Sequence, residues 1–272
     1  MQFTPKTLFL TVALLLTAAC SKTPVTGRSQ FNLIPDGLMI PLGASSYDSM
    51  LQGVKLQKGT EDHQLLKEVG GRISTVADKP QYEWRYRLID DDDTINAWCL
   101  PGGKIAFYTG ILPVLENEAG MAFVMGHEVA HATAHHGAER LSQQLGVLGG
   151  LGGLYLYLDD KDQLTDTQKG VLLATLGLGA QVGVVLPFSR LHEKEADIIG
   201  MMYMARAGYP PRQALKVWDR MAAEKDGLQL PAFLSTHPAD DARKANLQDW
   251  LERARKRYQR NKRDHDSTTP LW

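Results

Sequence analysis

The stretch Met121–His136, MAFVMGHEVAHATAHH, decides the fold. Apolar residues surround two histidines, His127 and His131, which are four positions apart. Residues four apart share one face of a helix, so both imidazoles can reach the same cation. Glu128 lies about 100° around the helix axis, where it can act as a base beside the cation without ligating it. The pattern predicts a mostly buried helix over Asn117–Leu145 that carries a zinc site.

A catalytic zinc takes three protein ligands and leaves one position open for water. The stretch 189–200, SRLHEKEADIIG, places Glu193 and Asp197 four apart on one helical face. One of these carboxylates is expected to bind the metal and the other to orient a ligand histidine. His135 and His136 are weaker candidates, since His135 is two turns from His127 and does not close a compact site with it.

The remaining pattern predicts one catalytic domain with an α+β, mostly helical fold and a small sheet beside the metal helix. Asp62–Val76 has helical spacing, whereas Tyr82–Ile89 and Lys104–Thr109 are typical of short strands. The predicted division is a signal peptide over 1–19, a tether and irregular arm over 20–50, the zinc-dependent domain over 51–251, and a basic C-terminal tail over 252–272.

Two glycine-rich apolar runs, Leu145–Leu158 and Val171–Leu186, follow the metal helix. Each run is shorter than the roughly 20 residues that span a bilayer. Two interpretations remain open: a helical hairpin packed on the core, or a partly exposed apolar surface that contacts a membrane or a client protein.

The N-terminus has the features of an export signal. A short start with Lys6 precedes the apolar run Leu8–Leu16 and small residues up to Cys20. A cysteine after small residues resembles the lipobox of bacterial lipoproteins, in which that cysteine is acylated, although Thr17 stands where leucine is usual. Cys99 then has no partner and is expected to be a small buried hydrophobe. A net charge of −1 argues against a nucleic-acid partner.

Four motifs in unbroken order carry a resemblance to a known family: NAWCLPGGKIAFYTGIL from Asn96, HEVAH from His127, SRLHEKEAD from Ser189 and STHP from Ser235. Together they resemble metallopeptidase family 48, the gluzincins that include HtpX and the CAAX prenyl proteases. With the lipobox, the most similar branch is that of bacterial outer-membrane lipoproteins of the LoiP and YcaL kind. The resemblance implies a zincin-like (gluzincin) metallopeptidase fold.

The same resemblance implies roles for individual residues. His127, His131 and Glu193 are implied as ligands of one Zn²⁺ per chain, Glu128 as the base, and Asp197 as the acid that orients a ligand. His237 is implied to cover the zinc at rest, and Arg243 to stabilise the oxyanion. In gluzincins the strand beside the metal helix is a sheet edge, so Lys104–Thr109 is expected to bind an extended peptide as an added strand.

The sequence therefore predicts a zinc metalloendopeptidase that hydrolyses unfolded or misassembled envelope proteins. The expected location is the cell outer membrane, facing the periplasm, with the chain anchored by lipid on Cys20. Two alternatives are a zinc-binding chaperone or assembly factor for outer-membrane proteins, and a purely structural anchor. The presence of Glu128 favours the peptidase, because a protein that only binds its clients has no need of a base there.

Overall fold

The computed structural model describes residues 20–159, 165–180, 186–224, 232–238, 241–262 and 267–272, so the predicted signal peptide lies outside the described residues. The strands are β1 (Cys20–Lys22), β2 (Ser29–Phe31), β3 (Leu56–Gln57), β4 (Arg85–Ile89), β5 (Ala97–Leu100) and β6 (Lys104–Tyr108). The helices are α1 (Asp36–Met50), α2 (Glu61–Ala77), α3 (Leu112–Leu115), α4 (Glu118–Thr133), α5 (His136–Asp159), α6 (Asp166–Ala180), α7 (Leu186–Arg206), α8 (Gln213–Glu224), α9 (Ala232–Thr236) and α10 (Asp241–Asn261). The fold is α+β and mostly helical, as predicted.

Helix α4 lies at the centre of the domain. Its N-terminus is capped by Asn117, whose side-chain oxygen accepts a hydrogen bond from the Gly120 N–H at 2.9 Å. Every residue of α4 except His131 is buried, and the helix packs against α2, α7, α8 and β5. This burial confirms the prediction made from the apolar residues on all sides of the motif.

The backbones of α4 and α7 are in direct contact at two glycines. A Cβ atom added to Gly126 would lie 2.7 Å from the carbonyl oxygen of Gly200. A Cβ added to Gly200 would lie 2.6 Å from the amide nitrogen of His127. Both distances are far inside van der Waals contact, so only glycine fits at either position without moving a helix.

The single long helix predicted over Asn117–Leu145 is wrong. The chain leaves the helical path after Thr133, and His135 adopts a left-handed conformation with φ 57° before α5 begins. The side chain of His135 is held there by Asp36, at 2.9 Å between Nδ1 and Oδ1. Because this partner is distant in sequence and the residue in the left-handed conformation is a histidine rather than a glycine, local pattern did not indicate the break.

The predicted sheet edge is also corrected. The four-stranded sheet has the order β3-β4-β6-β5, and β6 pairs in parallel with β4 and antiparallel with β5. Strand β6, the predicted peptide-binding edge, is therefore interior, and Lys104 to Phe107 are all buried. The edge strand next to α4 is β5.

The irregular arm predicted over 20–50 is a hairpin of β1 and β2 followed by the regular helix α1. Helix α1 contains Pro41 and buries Met39, Gly43 and Tyr47, which are spaced four apart. This narrow buried stripe, interrupted by proline and glycine, does not resemble a broad amphipathic face, so the sequence did not predict the helix.

The described part of the segment predicted as a basic tail, residues 252–262 and 267–272, packs on the domain. Helix α10 continues to Asn261, and residues 267–272 contact α4 and α2. The Ala119 N–H donates to Ser267 O at 2.9 Å, and the Trp272 indole N–H donates to Asp62 at 2.8 Å. These long-range contacts involve few residues, which explains why composition alone indicated a tail.

Helices α5 and α6 pack against each other, but many of their apolar side chains remain in solvent. Leu148, Leu156 and Tyr157 are 64%, 68% and 60% exposed. Close packing on the core is therefore wrong for Leu145–Leu158, which is partly exposed. Contact of this surface with a membrane or a client protein stays a prediction, and residues 181–185 of the second run lie outside the described residues. No helix among the described residues is both long and apolar enough to cross a membrane.

We expect Gly200→Ala to destabilise the protein, since the added methyl group must push α7 away from α4. Overpacking of this kind typically lowers the free energy of unfolding by about 1–3 kcal/mol. The matched control is Gly152→Ala, because Gly152 lies in helix α5 with nothing near its Cβ direction, and alanine there should stabilise by roughly 0.5–1 kcal/mol. Urea titration monitored by circular dichroism measures both, and equal effects of the two substitutions would contradict the close contact.

Candidate active site

Four side chains from three elements converge beside α4. His127 and His131 come from α4, Glu193 from α7, and His237 from the segment after α9; one ligand atom of each lies within 4.8 Å of all the others. Nε2 of His127 lies 3.2 Å from Nε2 of His131 and 3.5 Å from Oε2 of Glu193. Nε2 of His131 lies 3.4 Å from Oε1 of Glu193.

These distances fit a tetrahedral metal site. A cation bound at about 2.0–2.1 Å places neighbouring ligand atoms about 3.3 Å apart. Among the described residues, Oε1 of Glu193 is buried without a hydrogen-bond partner, and a buried carboxylate oxygen without a donor is costly. Two imidazole nitrogens and a carboxylate that face one point form a donor set for a divalent cation, and the residues present fit such an ion.

His237 occupies the fourth corner of this arrangement. Its Nδ1 lies 3.3 Å from Nε2 of His127 and 2.9 Å from Oε2 of Glu193. Its other nitrogen, Nε2, lies 3.5 Å from Oε1 of Glu128. The ring stacks on Phe233 at 4.6 Å between centroids, which fixes its orientation. His237 therefore stands where a water or substrate would approach the metal position.

The imidazole of His127 is oriented from behind by Asp197, at 2.9 Å between Nδ1 and Oδ1. Burial lowers the pKa of His127, but the neighbouring carboxylates of Asp197 and Glu193 outweigh it and raise the pKa to about 9. Burial raises the pKa of Asp197, yet the charge of Arg243 outweighs it and leaves the pKa below its usual value. An ionised Asp197 holds the proton on Nδ1 of His127, so Nε2, which faces the metal position, is the nitrogen that would lose its proton to a bound cation.

The structure gives Arg243 a different position from the predicted oxyanion role. Its guanidinium donates from Nε and Nη2 to both oxygens of Asp197, at 2.7 and 2.8 Å. Nη1 faces the carbonyls of His237 and Pro238 and lies 3.2 Å from Oε2 of Glu193. With its donors directed at these groups and the side chain buried outside the cleft lining, Arg243 supports Asp197 and Glu193 from behind.

The position and the burial of the Glu128 carboxylate suit a general base. Its side chain is buried, which raises the pKa of its carboxyl above the usual value. His237 and His127 lower this pKa in part, and the backbone N–H of Cys99 on β5, which faces the carboxylate, lowers it less than they do. Among the described residues Oε1 has no hydrogen-bond partner, so this oxygen can accept a proton.

A cleft of about 400 Å³ opens over these residues. Edge strand β5 and the following turn form one wall through Trp98, Cys99, Leu100 and Pro101. Because Tyr108 N donates to Asn96 O, alternate residues of β5 pair with β6, and Cys99 presents its backbone groups outward. The cleft thus combines a metal position, a base and an open strand edge.

Sequence reasoning missed a second polar cluster beside His131. His136 and Glu139 on α5, and His192 and Glu195 on α7, pair crosswise: His136 with Glu195 at 3.2 Å and His192 with Glu139 at 2.9 Å. We call these four residues the crossed His–Glu cluster. The signal in the sequence is the repeated spacing of a histidine three residues before a glutamate, in HGAE and HEKE.

The two carboxylates of this cluster share one counterion, Arg28, from the hairpin of β1 and β2. The guanidinium donates to both oxygens of Glu139 at 2.9 and 2.7 Å and to Oε2 of Glu195 at 2.8 Å. Burial raises the pKa of each carboxyl, but hydrogen bonds that include those from Arg28 outweigh it and hold both at about 2. Both glutamates are therefore ionised and compensated at neutral pH.

The central helix, the His-His-Glu cluster, the adjacent base and the small sheet together define a zincin-like metallopeptidase. The chain belongs to peptidase family M48, whose model matches residues 60–251. It is accordingly a metal-dependent endopeptidase, which confirms the family and the reaction class predicted from the motifs.

Named relatives lie in two groups. The chain is 33% identical over 258 residues to the mitochondrial metalloendopeptidase OMA1 of Saccharomyces cerevisiae, covering 88% of this chain and 71% of that protein. It is 29% identical over 188 residues to the beta-barrel assembly-enhancing protease of Yersinia pestis, covering 66% of this chain and 37% of the relative. The corresponding Escherichia coli K12 protein is 26% identical over 198 residues, with 71% and 39% covered.

Proposed function

We propose that this chain is a zinc endopeptidase that cleaves unfolded or misassembled proteins of the bacterial envelope. The observation that carries the proposal is the cleft in which the four-residue cluster, Glu128 and the edge strand β5 meet. His127, His131 and Glu193 are the proposed ligands. Two imidazoles and one carboxylate in tetrahedral spacing suit Zn²⁺.

When bound, Zn²⁺ supplies Lewis acidity and lowers the pKa of a coordinated water to about 7. Proton transfer and the orientation of the ligands are tasks of the protein's own residues. Glu128 accepts the proton of the attacking water at Oε1 and later returns it to the leaving amine. Asp197, backed by Arg243, keeps His127 in one tautomer throughout. His237 must swing away from the fourth corner before a peptide carbonyl can enter, so the arrangement described here is a covered, resting one.

Edge strand β5 is the proposed binding site for the substrate backbone. An extended peptide that donates an N–H to the outward carbonyl of Cys99 gains main-chain hydrogen bonding whatever its side chains are. This selects for unfolded chains, since the backbone of a folded protein is already paired. The name of the bacterial relatives, beta-barrel assembly-enhancing protease, supports a role in envelope quality control, whereas the name of the yeast relative indicates an organelle.

We further propose that the chain is attached to the outer membrane through lipid on Cys20 and faces the periplasm. The signal-like residues before Cys20 and the lipobox resemblance support a bacterial export route over an organelle address. Ser21, rather than aspartate, follows the cysteine, which is the pattern expected for sorting to the outer membrane.

The first test measures metal content and cleavage together. We expect one zinc per chain in the wild type and in Glu128→Gln, and a loss of zinc in His131→Ala and Glu193→Ala. Casein should be cut by the wild type only, and a chelator should stop cleavage. The control is Glu252→Ala, which removes an exposed carboxylate on α10.

Two outcomes would decide against the proposal. Retention of zinc by Glu193→Ala would remove Glu193 from the ligand set. Tight binding of unfolded casein by a zinc-loaded wild type that never cuts it would instead identify a zinc-binding chaperone.

Strand addition predicts a period of two along the substrate. An N-methyl group on a residue whose N–H faces β5 should raise KM by up to about tenfold, as expected for one lost hydrogen bond. The same group one residue further along faces away from the strand and should change little. Peptide cleavage followed by chromatography measures each KM, and a scan without this alternation would exclude pairing with β5.

The anchor predicts a lipid-modified N-terminus. Mass spectrometry of the membrane fraction from a Gram-negative host should find acyl chains on Cys20, and Cys20→Ala should become soluble in the periplasm. Cys99→Ala serves as the matched control and should stay with the membrane. An unchanged membrane fraction for Cys20→Ala would contradict the anchor and leave the peptidase proposal intact.

A further inference from the structure

The two proposed histidine ligands are supported in different ways. Behind His127 stands the carboxylate of Asp197. Behind His131 stands another imidazole, with 3.0 Å between Nδ1 of His131 and Nδ1 of His136. A ligand histidine usually donates its second N–H to an acceptor that fixes its tautomer and ring orientation. His136 can accept at Nδ1 only if its own proton is on Nε2.

The surroundings of His136 favour that tautomer. Its Nε2 lies 3.2 Å from Oε2 of Glu195, which is an acceptor only. The chain of bonds therefore runs in one direction, from His131 to His136 to Glu195. The ring of His136 is buried and stacks on that of His192, with 4.4 Å between centroids and 10° between planes. His192 is in turn bound to Glu139.

The crossed His–Glu cluster is held together from the N-terminal hairpin. Arg28 joins the two carboxylates, and Thr23 Oγ1 donates to Oε1 of Glu195 at 2.7 Å, with Thr26 donating to the same oxygen. Removal of Arg28 would leave two buried carboxylates without their shared guanidinium, which disfavours the present arrangement of the cluster. The position of His136 therefore depends on residues that lie three to eight places after Cys20.

We propose that Arg28 and His136 are positioning residues for His131, so that docking of the N-terminal hairpin completes the metal site. This inference rests on the proposed function, because it takes His131 as a metal ligand. It adds a regulatory consequence. A force or a partner that undocks the N-terminal hairpin loosens His131 and weakens metal binding. The state of the N-terminus is thereby coupled to peptidase activity.

The test compares arginines in similar settings. The side chains of Arg28 and Arg220 are 19% and 25% exposed, and each binds a glutamate. The partners of Arg220 lie away from the metal position: they are Glu116 and the carbonyls of Val114 and Leu115. We expect Arg28→Gln and His136→Gln to raise the dissociation constant for Zn²⁺ by about 10–100-fold, the usual effect of losing such support. Arg220→Gln should stay within about twofold of the wild type.

Competition with a chromogenic chelator measures the affinity, and the visible absorption of Co²⁺ bound in place of Zn²⁺ reports ligand geometry. The Co²⁺ spectrum should change in His136→Gln and Arg28→Gln but not in Arg220→Gln. If His136→Gln does not fold, Glu195→Gln, which keeps the side-chain shape, takes its place with the same expectation.

Three results would overturn the proposal. The first is a folded His136→Gln or Glu195→Gln with wild-type affinity and spectrum. The second is an Arg28→Gln that melts earlier yet binds Zn²⁺ normally, and the third is an equal loss of affinity in Arg220→Gln. Failure of the proposed function is distinguishable, since it appears as unchanged metal affinity in His131→Ala.

Discussion

The backbone contact between α4 and α7 at Gly126 and Gly200 is the constraint on which the site depends. An imidazole and a carboxylate are short side chains, so ligand atoms on two helices meet around one cation only if the helices nearly touch. Gly126 immediately precedes His127, and the contact of Gly200 is with the His127 amide itself. The two helix faces are thereby held within ligand distance before any metal is present.

Local spacing predicted the parts of the site that lie within one helix, and long-range contacts determined the rest. Positions four apart correctly placed His127 with His131 and Glu193 with Asp197. The spacing did not reveal which carboxylate faces the metal position, because that depends on how α7 lies against α4. The role of Arg28 was not predicted for the same reason, because its partners lie over a hundred residues away in the sequence.

The sheet shows a case in which the sequence held the information but was misinterpreted. Lys104–Tyr108, KIAFY, is a nearly continuous apolar run, which is typical of a strand buried on both faces rather than of an edge. The one charged residue, Lys104, is buried and directs its ammonium to the Glu83 carboxylate and carbonyl. Family resemblance suggested that a strand beside the metal helix is an edge, and this holds for β5 but not for β6.

Each of the two proposed ligand histidines is supported by a series of groups that ends in an arginine. His127 is followed by Asp197 and Arg243, and His131 by His136, Glu195 and Arg28. The arginines neutralise the supporting carboxylates but leave Oε1 of Glu193 without a hydrogen-bond donor among the described residues. A bound cation removes that deficit only in the folded state, where the ligands are gathered. Metal binding and folding are therefore coupled, and without metal the geometry of the site rests on its glycine contact and on the two arginines behind the ligands.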